Sequence, residues 1–383
     1  MIDLCGARLR SNPRFRLVAY DALATHEQEA FRSLSEDSDF FGILVPPEGS
    51  VLPVKSVSRD AALLFLALRE PAHLPHLLGN LFGSHAPERL RSLILDGVFE
   101  IEQSGQFVSG AAALSQFGNR ESVAPTTRLS RLCADAIDYA AALELVSVGE
   151  LAVRLYLFNA APGRPEVHRR FATDEGLLAF LFEGNDVARL LRSRWRSEPV
   201  DDAWIAWRSA AADGALPYKL YVSPALEHLP GVFAASVQAF AKVSCTRFKL
   251  GRRAFGVLRP DKLVAYFPSL DALQRAADLI LTSAPGAVPH GVPFTAPIDP
   301  DGLLSWAMDP PRFEQVLASQ QNQSWRQWLT GRIAVCVSAA KEGGADVHSF
   351  LRSRIELDGI DPVTWNPNLA IWRGPVGTER EVT

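Results

Sequence analysis

Tyr218-Lys219-Leu220-Tyr221-Val222-Ser223, followed one helical stretch later by Thr246-Arg247-Phe248-Lys249-Leu250, carries the reading of the whole chain. Residues in both segments alternate with a period of two, the period of a strand whose successive side chains leave on opposite faces. Lys219 and Tyr221 therefore share a face of the first strand. Arg247 and Lys249 share a face of the second, with Phe248 and Leu250 behind them. Pro224 ends the first strand, and residues 226–243 read as a helix with Leu229, Val232, Phe233, Val237 and Phe240 on its apolar side. GRRAFGVLRPD reads as a loop, KLVAYF as a strand, residues 270–281 as an amphipathic helix and HGVPFTA as a further short strand. That order predicts an α+β domain, a mixed β-sheet with helices on one face. The apolar face would pack under the helices and leave Lys219, Tyr221 and Lys249 converging on the open one.

Charge sharpens this reading. The chain carries a net charge of −4, yet seven basic residues lie between positions 242 and 262 (Lys242, Arg247, Lys249, Arg252, Arg253, Arg259 and Lys262), opposed only by Asp261. Such a local surplus in an acidic chain calls for an anionic partner or for a solvated basic surface, the blander alternative. Arginine suits bidentate recognition of phosphate, and lysine suits a perturbed pKa and proton transfer. His290 reads as structural. Asp299, Asp301 and Asp309 lie in a Pro/Gly loop that turn chemistry explains, without metal-ligand spacing. No P-loop, G-x-S-x-G or dinucleotide fingerprint occurs.

Upstream, residues 14–23 alternate as a strand and residues 26–34 read as a short helix. FFGILVPPEGSVLPVKSV (40–57) holds two apolar runs around a Pro-Pro-Glu-Gly-Ser turn, a hairpin signal. RDAALLFLALR (59–69) predicts a helix closed by Pro71, PAHLPHLLGNLFG (71–83) a second, and residues 87–95 a third that ends at Asp96-Gly97. VFEIEQSGQFVSG (98–110) is a hairpin turning at Ser104-Gly105. Hairpin, three helices and hairpin is the order of a winged helix. A DNA reader would need a basic recognition helix, whereas Glu88 and Asp96 offset Arg89 and Arg91 and the wing carries Glu100 and Glu102. Peptide capture by strand addition, or a structural role, fits better. Residues 111–127 read as linker, 127–148 as one long helix and 174–182 as another. Trp195, Trp204 and Trp207 suggest interdomain packing, with stacking on a ligand as the alternative. Residues 324–372, with Trp325, Trp328, Trp365 and Trp372, read as a helical lid or docking segment. The expected division is 1–115 for the winged-helix module, 116–212 for a helical middle region and 213–383 for the α+β domain with its Trp-rich tail.

Two resemblances follow from these residues. The element order over residues 38–110 resembles the PqqD-like recognition module of enzymes that modify ribosomally made peptides. The order Lys219-Leu220-Tyr221-Val222-Ser223, Phe248-Lys249, basic loop and Tyr266-Phe267, with VPFTAPIDPDGLLSWAMDPP (292–311), is similar to the phosphothreonine-lyase superfamily. That group includes type III effector lyases, the lyase domains of class III and IV lanthipeptide synthetases, and effector-like partners of class V lanthipeptide and thioamitide pathways. The resemblance implies elimination of phosphate from phosphoserine or phosphothreonine in a precursor peptide. Lys249 would be the base, Lys219 and Tyr221 its catalytic neighbours, and Arg252, Arg253, Arg259, Lys262 and Tyr266 the phosphate-binding set. The established lyases carry His where this chain has Tyr221. A phenol with a reference pKa of about 10 is protonated at neutral pH and can donate to phosphate, though it is a poorer acid than imidazolium.

The implied partners are a leader-bearing precursor peptide, a separate kinase, since no kinase motif is present, and a cyclase. No metal or organic cofactor is expected, and no nucleic acid or membrane. The alternative is a scaffold that presents the peptide or phosphopeptide to a partner enzyme without turning it over. A secreted effector would need an export signal, and MIDLCGARLR lacks an apolar signal core. The 48% hydrophobic and 21% charged residues describe a globular chain, and its four scattered cysteines read as reduced thiols, so a cytoplasmic setting is expected.

Overall fold

The computed structural model describes residues 6–35, 37–49, 52, 54–74, 86–118, 124–144, 146–184, 186–211, 214–310 and 323–372. Its first part holds β1 (Arg8–Ser11), β2 (Arg16–Ala19), β3 (Phe40–Val45), β4 (Lys55–Ser58), β5 (Ala72–His73), β6 (Phe99–Gln103) and β7 (Gln106–Val108). They form two antiparallel sheets, β2-β3-β4 and β5-β1-β6-β7. The β6–β7 hairpin turns at Ser104 and Gly105, both at positive φ, the backbone a tight two-residue hairpin requires. Ser58 caps helix Arg59–Ala67 by accepting from the Ala61 N–H. Helix Ala86–Leu95 ends where Gly97 takes a φ of +77°. Leu9, Leu64, Phe65, Leu90, Ile94, Phe99 and Ile101 close a core of their own between these elements.

Both expected hairpins and the helices at 59 and 86 are therefore present, while most of the stretch expected to form the second helix lies outside the described residues. β1 and β5 widen the wing hairpin to four strands, and β2 adds to the first hairpin. The described elements form an α+β module of two sheets, four-stranded and three-stranded, which does not establish the expected winged helix.

The second part is built on seven strands. These are β8 (Arg196–Asp201), β9 (Trp204–Arg208), β10 (Tyr218–Val222), β11 (Arg247–Gly251), β12 (Leu263–Phe267), β13 (Ala296–Pro297) and β14 (Leu304–Met308), in the order β13-β14-β10-β12-β11-β9-β8. Every neighbouring pair is antiparallel, so the expected mixed sheet is corrected. The strand–helix–strand signal of β10, helix Leu229–Lys242 and β11 does mark two parallel strands. They are not neighbours, because β12 inserts between them and runs against both. The presumed loop after β11 contains a short helix, Arg253–Leu258.

β8 and β9 were not expected as strands, and they extend the sheet upstream of residue 213. Residues 204–207 of β9 are buried on both faces, so the alternation that exposes a half-buried strand is missing. The helix expected over 127–148 ends at Ala142, and a further helix, Val148–Leu157, capped by Ser147, follows beyond the expected span. Trp207 stacks on Phe248 at 5.2 Å, and Phe240 of helix Leu229–Lys242 lies 5.1 Å from the same ring, so the helix-covered face is sealed by aromatics.

The C-terminal helices Trp325–Glu342 and Val347–Leu357 belong to this main core. Trp325, Trp328 and Trp372 contact one another at 4.9–6.1 Å, and Trp325 Nε1 donates to the Phe294 carbonyl at 2.7 Å. These rings are buried packing, which corrects the reading of this segment as a lid. Arg354 joins the two parts: it pairs with Asp96, which also takes Lys55 Nζ at 2.5 Å, and donates to Ser92. Cys133, Cys245 and Cys336 are buried free thiols, and Cys5 lies outside the described residues. No helix among the described residues is long and apolar enough to cross a membrane.

Candidate functional site

Register, more than sequence proximity, assembles the site. Tyr221 pairs with Val264 and Ser305, and Lys249 pairs with Val264 and Ala206, so Ser305, Tyr221, Val264, Lys249 and Ala206 form one row across the sheet. The adjacent row is Ala307, Lys219, Tyr266, Arg247 and Arg208. Paired residues project to the same side of a sheet, as do residues two apart on one strand. Lys219, Tyr221, Lys249 and Tyr266 therefore share the face opposite the helix-covered core.

Within that face the cations differ in what holds them. Lys219 is buried and pairs through Nζ with Asp309 Oδ1, and its Nζ stands 5.8 Å from the Tyr266 ring centroid. Lys249 makes no ion pair or hydrogen bond among the described residues; its Nζ lies 4.0 Å from the Trp204 ring centroid. Burial pulls its pKa down to about 8, aided by Lys219, Arg259 and Arg247 and opposed by Asp261. Tyr221 is 3% exposed, and burial together with the Asp261 charge pushes its phenol well above its ordinary value, so it remains protonated. Burial likewise raises Tyr266, against the pull of Arg247.

A charged cluster abuts this face from the turn before β12. Arg259 grips Asp261 through Nε and Nη2, both at 2.9 Å, and its Nη2 reaches Tyr156 Oη at 2.5 Å. Arg326 Nη1 stands 3.0 Å from Asp261 Oδ2, an ion pair by distance without the alignment of a hydrogen bond, and Nη2 donates to the Tyr156 carbonyl at 2.7 Å. Arg326 is 1% exposed, and its Nε has no hydrogen-bond partner among the described residues. Burial alone would raise the Asp261 pKa; Arg326 and Arg259 outweigh it and hold the carboxyl well below the carboxylate range. Arg259 also lies 4.8 Å from the Trp204 centroid, which brings it beside Lys249.

Three residues expected in the phosphate-binding set lie elsewhere. Arg252 follows Gly251 by one residue, so alternation turns it to the helix side. There it clamps Asp174 with Nε at 2.6 Å and Nη2 at 2.7 Å, and lines a cavity of about 310 Å³ with Trp195, Ile205 and Trp207. Arg253, at φ +59°, is exposed and turns toward the Ala172 carbonyl. Lys262 is buried at the foot of β12, donating to the Pro224 carbonyl at 2.9 Å and meeting His290 Nδ1 at 2.7 Å. Burial lowers Lys262 to about 7, and burial with the Lys262 charge lowers His290 to about 4. His290 Nε2 donates to the Asn159 carbonyl, so this pair ties loops together. Asp299 accepts from four successive backbone N–H groups, 301–304, as its turn role predicts.

The sequence reading missed Tyr156, Trp204, Asp309 and Arg326 as neighbours of the site and took Asp261 only as a lone counter-charge. The adjacency of Asp261 to Arg259 was a usable local signal. Tyr156 and Arg326 arrive from helices about a hundred residues upstream and sixty downstream, and no local pattern marks them.

No family profile matches the chain, and no curated protein matches it. Among solved structures, the effector protein from Pseudomonas syringae pv. tomato strain DC3000 overlaps 63% of this chain and 97% of its own, at 11% identity and a TM-score of 0.40. The type III effector and phosphothreonine lyase OspF from Shigella flexneri overlaps 39% of this chain and 86% of its own, at 12% identity and a TM-score of 0.26. The Chromobacterium violaceum phosphothreonine lyase effector VirA (SpvC) overlaps 30% and 65%, at 14% identity and a TM-score of 0.23. Phosphothreonine lyase effectors are thus weak structural neighbours. Scores this low set no family for the chain, and the activity named for two of them is theirs.

Proposed function

We propose that this chain is a lyase-like component of a peptide-modification pathway that eliminates phosphate from phosphoserine or phosphothreonine in a precursor peptide. The observation that carries the reading is Lys249, a half-buried amine with a pKa near 8 and no ion-pair partner among the described residues, two strands from the protonated phenol of Tyr221. Around them stand Lys219, Arg247, Arg259 and Arg326, with Asp309 paired to Lys219 and Asp261 to Arg259 and Arg326, a cationic surplus suited to a phosphate dianion.

In this reading neutral Lys249 takes the proton from the α-carbon of the phosphorylated residue. The C–H electron pair becomes the Cα=Cβ bond, the Cβ–O bond breaks, and phosphate leaves with that bonding pair. Tyr221 donates its proton to the departing oxygen, and Lys219 and Arg259 balance the charge that develops there. Elimination is redox-neutral and transfers no group to a carrier, so no organic cofactor is required.

A place for the peptide is supported by the first module. β4 is an edge strand among the described residues, and it borders a cavity of about 550 Å³ lined by Lys55, Ser56, Leu93, Ala152, Trp328 and Arg332. An extended leader segment could add to that edge through main-chain hydrogen bonds. Helices Val148–Leu157 and Trp325–Glu342 line this cavity and also carry Tyr156 and Arg326, so a bound peptide would rest on the elements that flank the charged cluster. In this reading residues 1–115 bind the leader through a winged PqqD-like module and 213–383 form the lyase-like part, with β8 and β9 extending its sheet and 116–212 as the joining region. A separate kinase would supply the phosphate, a cyclase would use the dehydroamino acid, and the setting would be the cytoplasm.

One observation favours a scaffold that holds the phosphopeptide without turnover: burial makes Tyr221 a weaker acid than a free phenol. Incubation with a leader-bearing phosphopeptide, followed by mass spectrometry, separates the two. Loss of phosphoric acid with the native chain and none with Lys249→Ala is expected. Binding with no mass loss from either would leave the scaffold reading standing and end the lyase reading.

A further inference from the structure

We infer that Trp204 is a positioning residue for Lys249, its indole face fixing where the amine rests. The inference rests on the reading of Lys249 as the base, but its geometry is independent of turnover. Trp204 pairs with Gly251 and lies one step from the Ala206–Lys249 pair, so on the side toward Lys249 its neighbours are the two smallest residues, while across β8 it pairs with Asp201. A Cβ at Gly251 would stand 2.2 Å from the Gly256 carbonyl oxygen, so this position admits only glycine, and the indole has room beside it. Ala206, directly across from Lys249, leaves that lysine free to bend toward Trp204.

The indole meets two cations, with Lys249 Nζ at 4.0 Å and the Arg259 guanidinium carbon at 4.8 Å from its ring centroid. A cation over an aromatic face is attracted by the ring quadrupole, most strongly over Trp. The ring thus provides Lys249 with a resting place where no carboxylate partner stands among the described residues. It also excludes water from the amine. These two effects act on the proton in opposite directions: the π face favours the ammonium, and exclusion of water favours the free amine.

Other groups around Lys249 are Lys219 and Tyr221 from β10, Arg247 from its own strand, Tyr266 from β12, Arg259 and Asp261 from the turn before β12, and Tyr156 and Arg326 from the two flanking helices. Of these, Arg259 also rests against the indole, so substitution at 204 changes its surroundings together with those of Lys249. Trp204→Leu and Trp204→Phe leave side chains of similar size, so comparing them isolates the aromatic face from the volume lost.

The measurement is the pH dependence of Lys249 acylation by a small amine reagent under competitive labelling, read on the Lys249-containing peptide by mass spectrometry. The native midpoint should lie near 8. Trp204→Phe is expected to titrate roughly half a pH unit above Trp204→Leu, about threefold less free amine at a fixed pH below both midpoints. Coincident midpoints, or the reverse order, would overturn the inference. If only the Phe variant folds, its midpoint within about half a unit of native supports the inference, and a larger departure overturns it. Because labelling needs no catalysis, shifted midpoints without phosphate release from the native chain would reject the lyase reading alone.

Discussion

Lys249 and Tyr221 lie in the same row of the sheet, and the row alone does not make them an acid–base pair. Their surroundings do. Burial and neighbouring cations bring the Lys249 amine to about 8, while the same burial keeps the Tyr221 phenol protonated. A base must be unprotonated to act, so lowering the pH below 8 removes it. Phosphate release is expected to rise about tenfold per pH unit up to about pH 8 and then level, measured as kcat/KM against pH. A plateau extending down to pH 6 would exclude Lys249 as the base. Tyr221→Phe preserves the ring and removes the donor; it should slow elimination by about 10²–10⁴-fold with little change in phosphopeptide binding. An unchanged rate would assign the acid role to another group.

At the scale of elements, the decisive feature is β12, which lies between β10 and β11 and sets both rows of the site in register. Behind it, Phe248 is held by Trp207 at 5.2 Å, Trp195 at 5.3 Å and Phe240 at 5.1 Å. Trp207 comes from β9, so this hairpin supports the strand that carries Lys249. Trp207→Ala should cost about 3–5 kcal/mol of stability through the cavity it leaves, visible as a lower urea midpoint at similar slope. A loss below about 1 kcal/mol would mean that β9 is peripheral to the core.

For the whole molecule, the contact between the first module and the C-terminal helices centres on Asp96. Arg354, then Lys55, draw its pKa down against the effect of burial. Arg354→Met removes one cation and the donor to Ser92, leaving Lys55 in place. Faster hydrogen exchange in helix Ala86–Leu95, with unchanged exchange in β10 and β11, is the expected result. Equal acceleration in both parts would show that they unfold as one unit.

Much of this was legible in the chain itself. The alternation in YKLYVS and TRFKL placed Lys219, Tyr221 and Lys249 on one face, and the hairpins, the helix at 229–242 and the Asp299 turn followed from local periodicity and turn chemistry. These are consequences of backbone sterics within a few residues, which is why a single sequence reveals them. Arg252 fell to the same rule, since strict alternation past Gly251 already turned it away from Lys249. Only tertiary structure decided that β12 divides β10 from β11, that Trp204 lies against Lys249, and that Tyr156 and Arg326 meet at Asp261. Those outcomes depend on which distant surfaces pack together, a choice made by burial and charge pairing over the whole chain and carried by no short stretch of it.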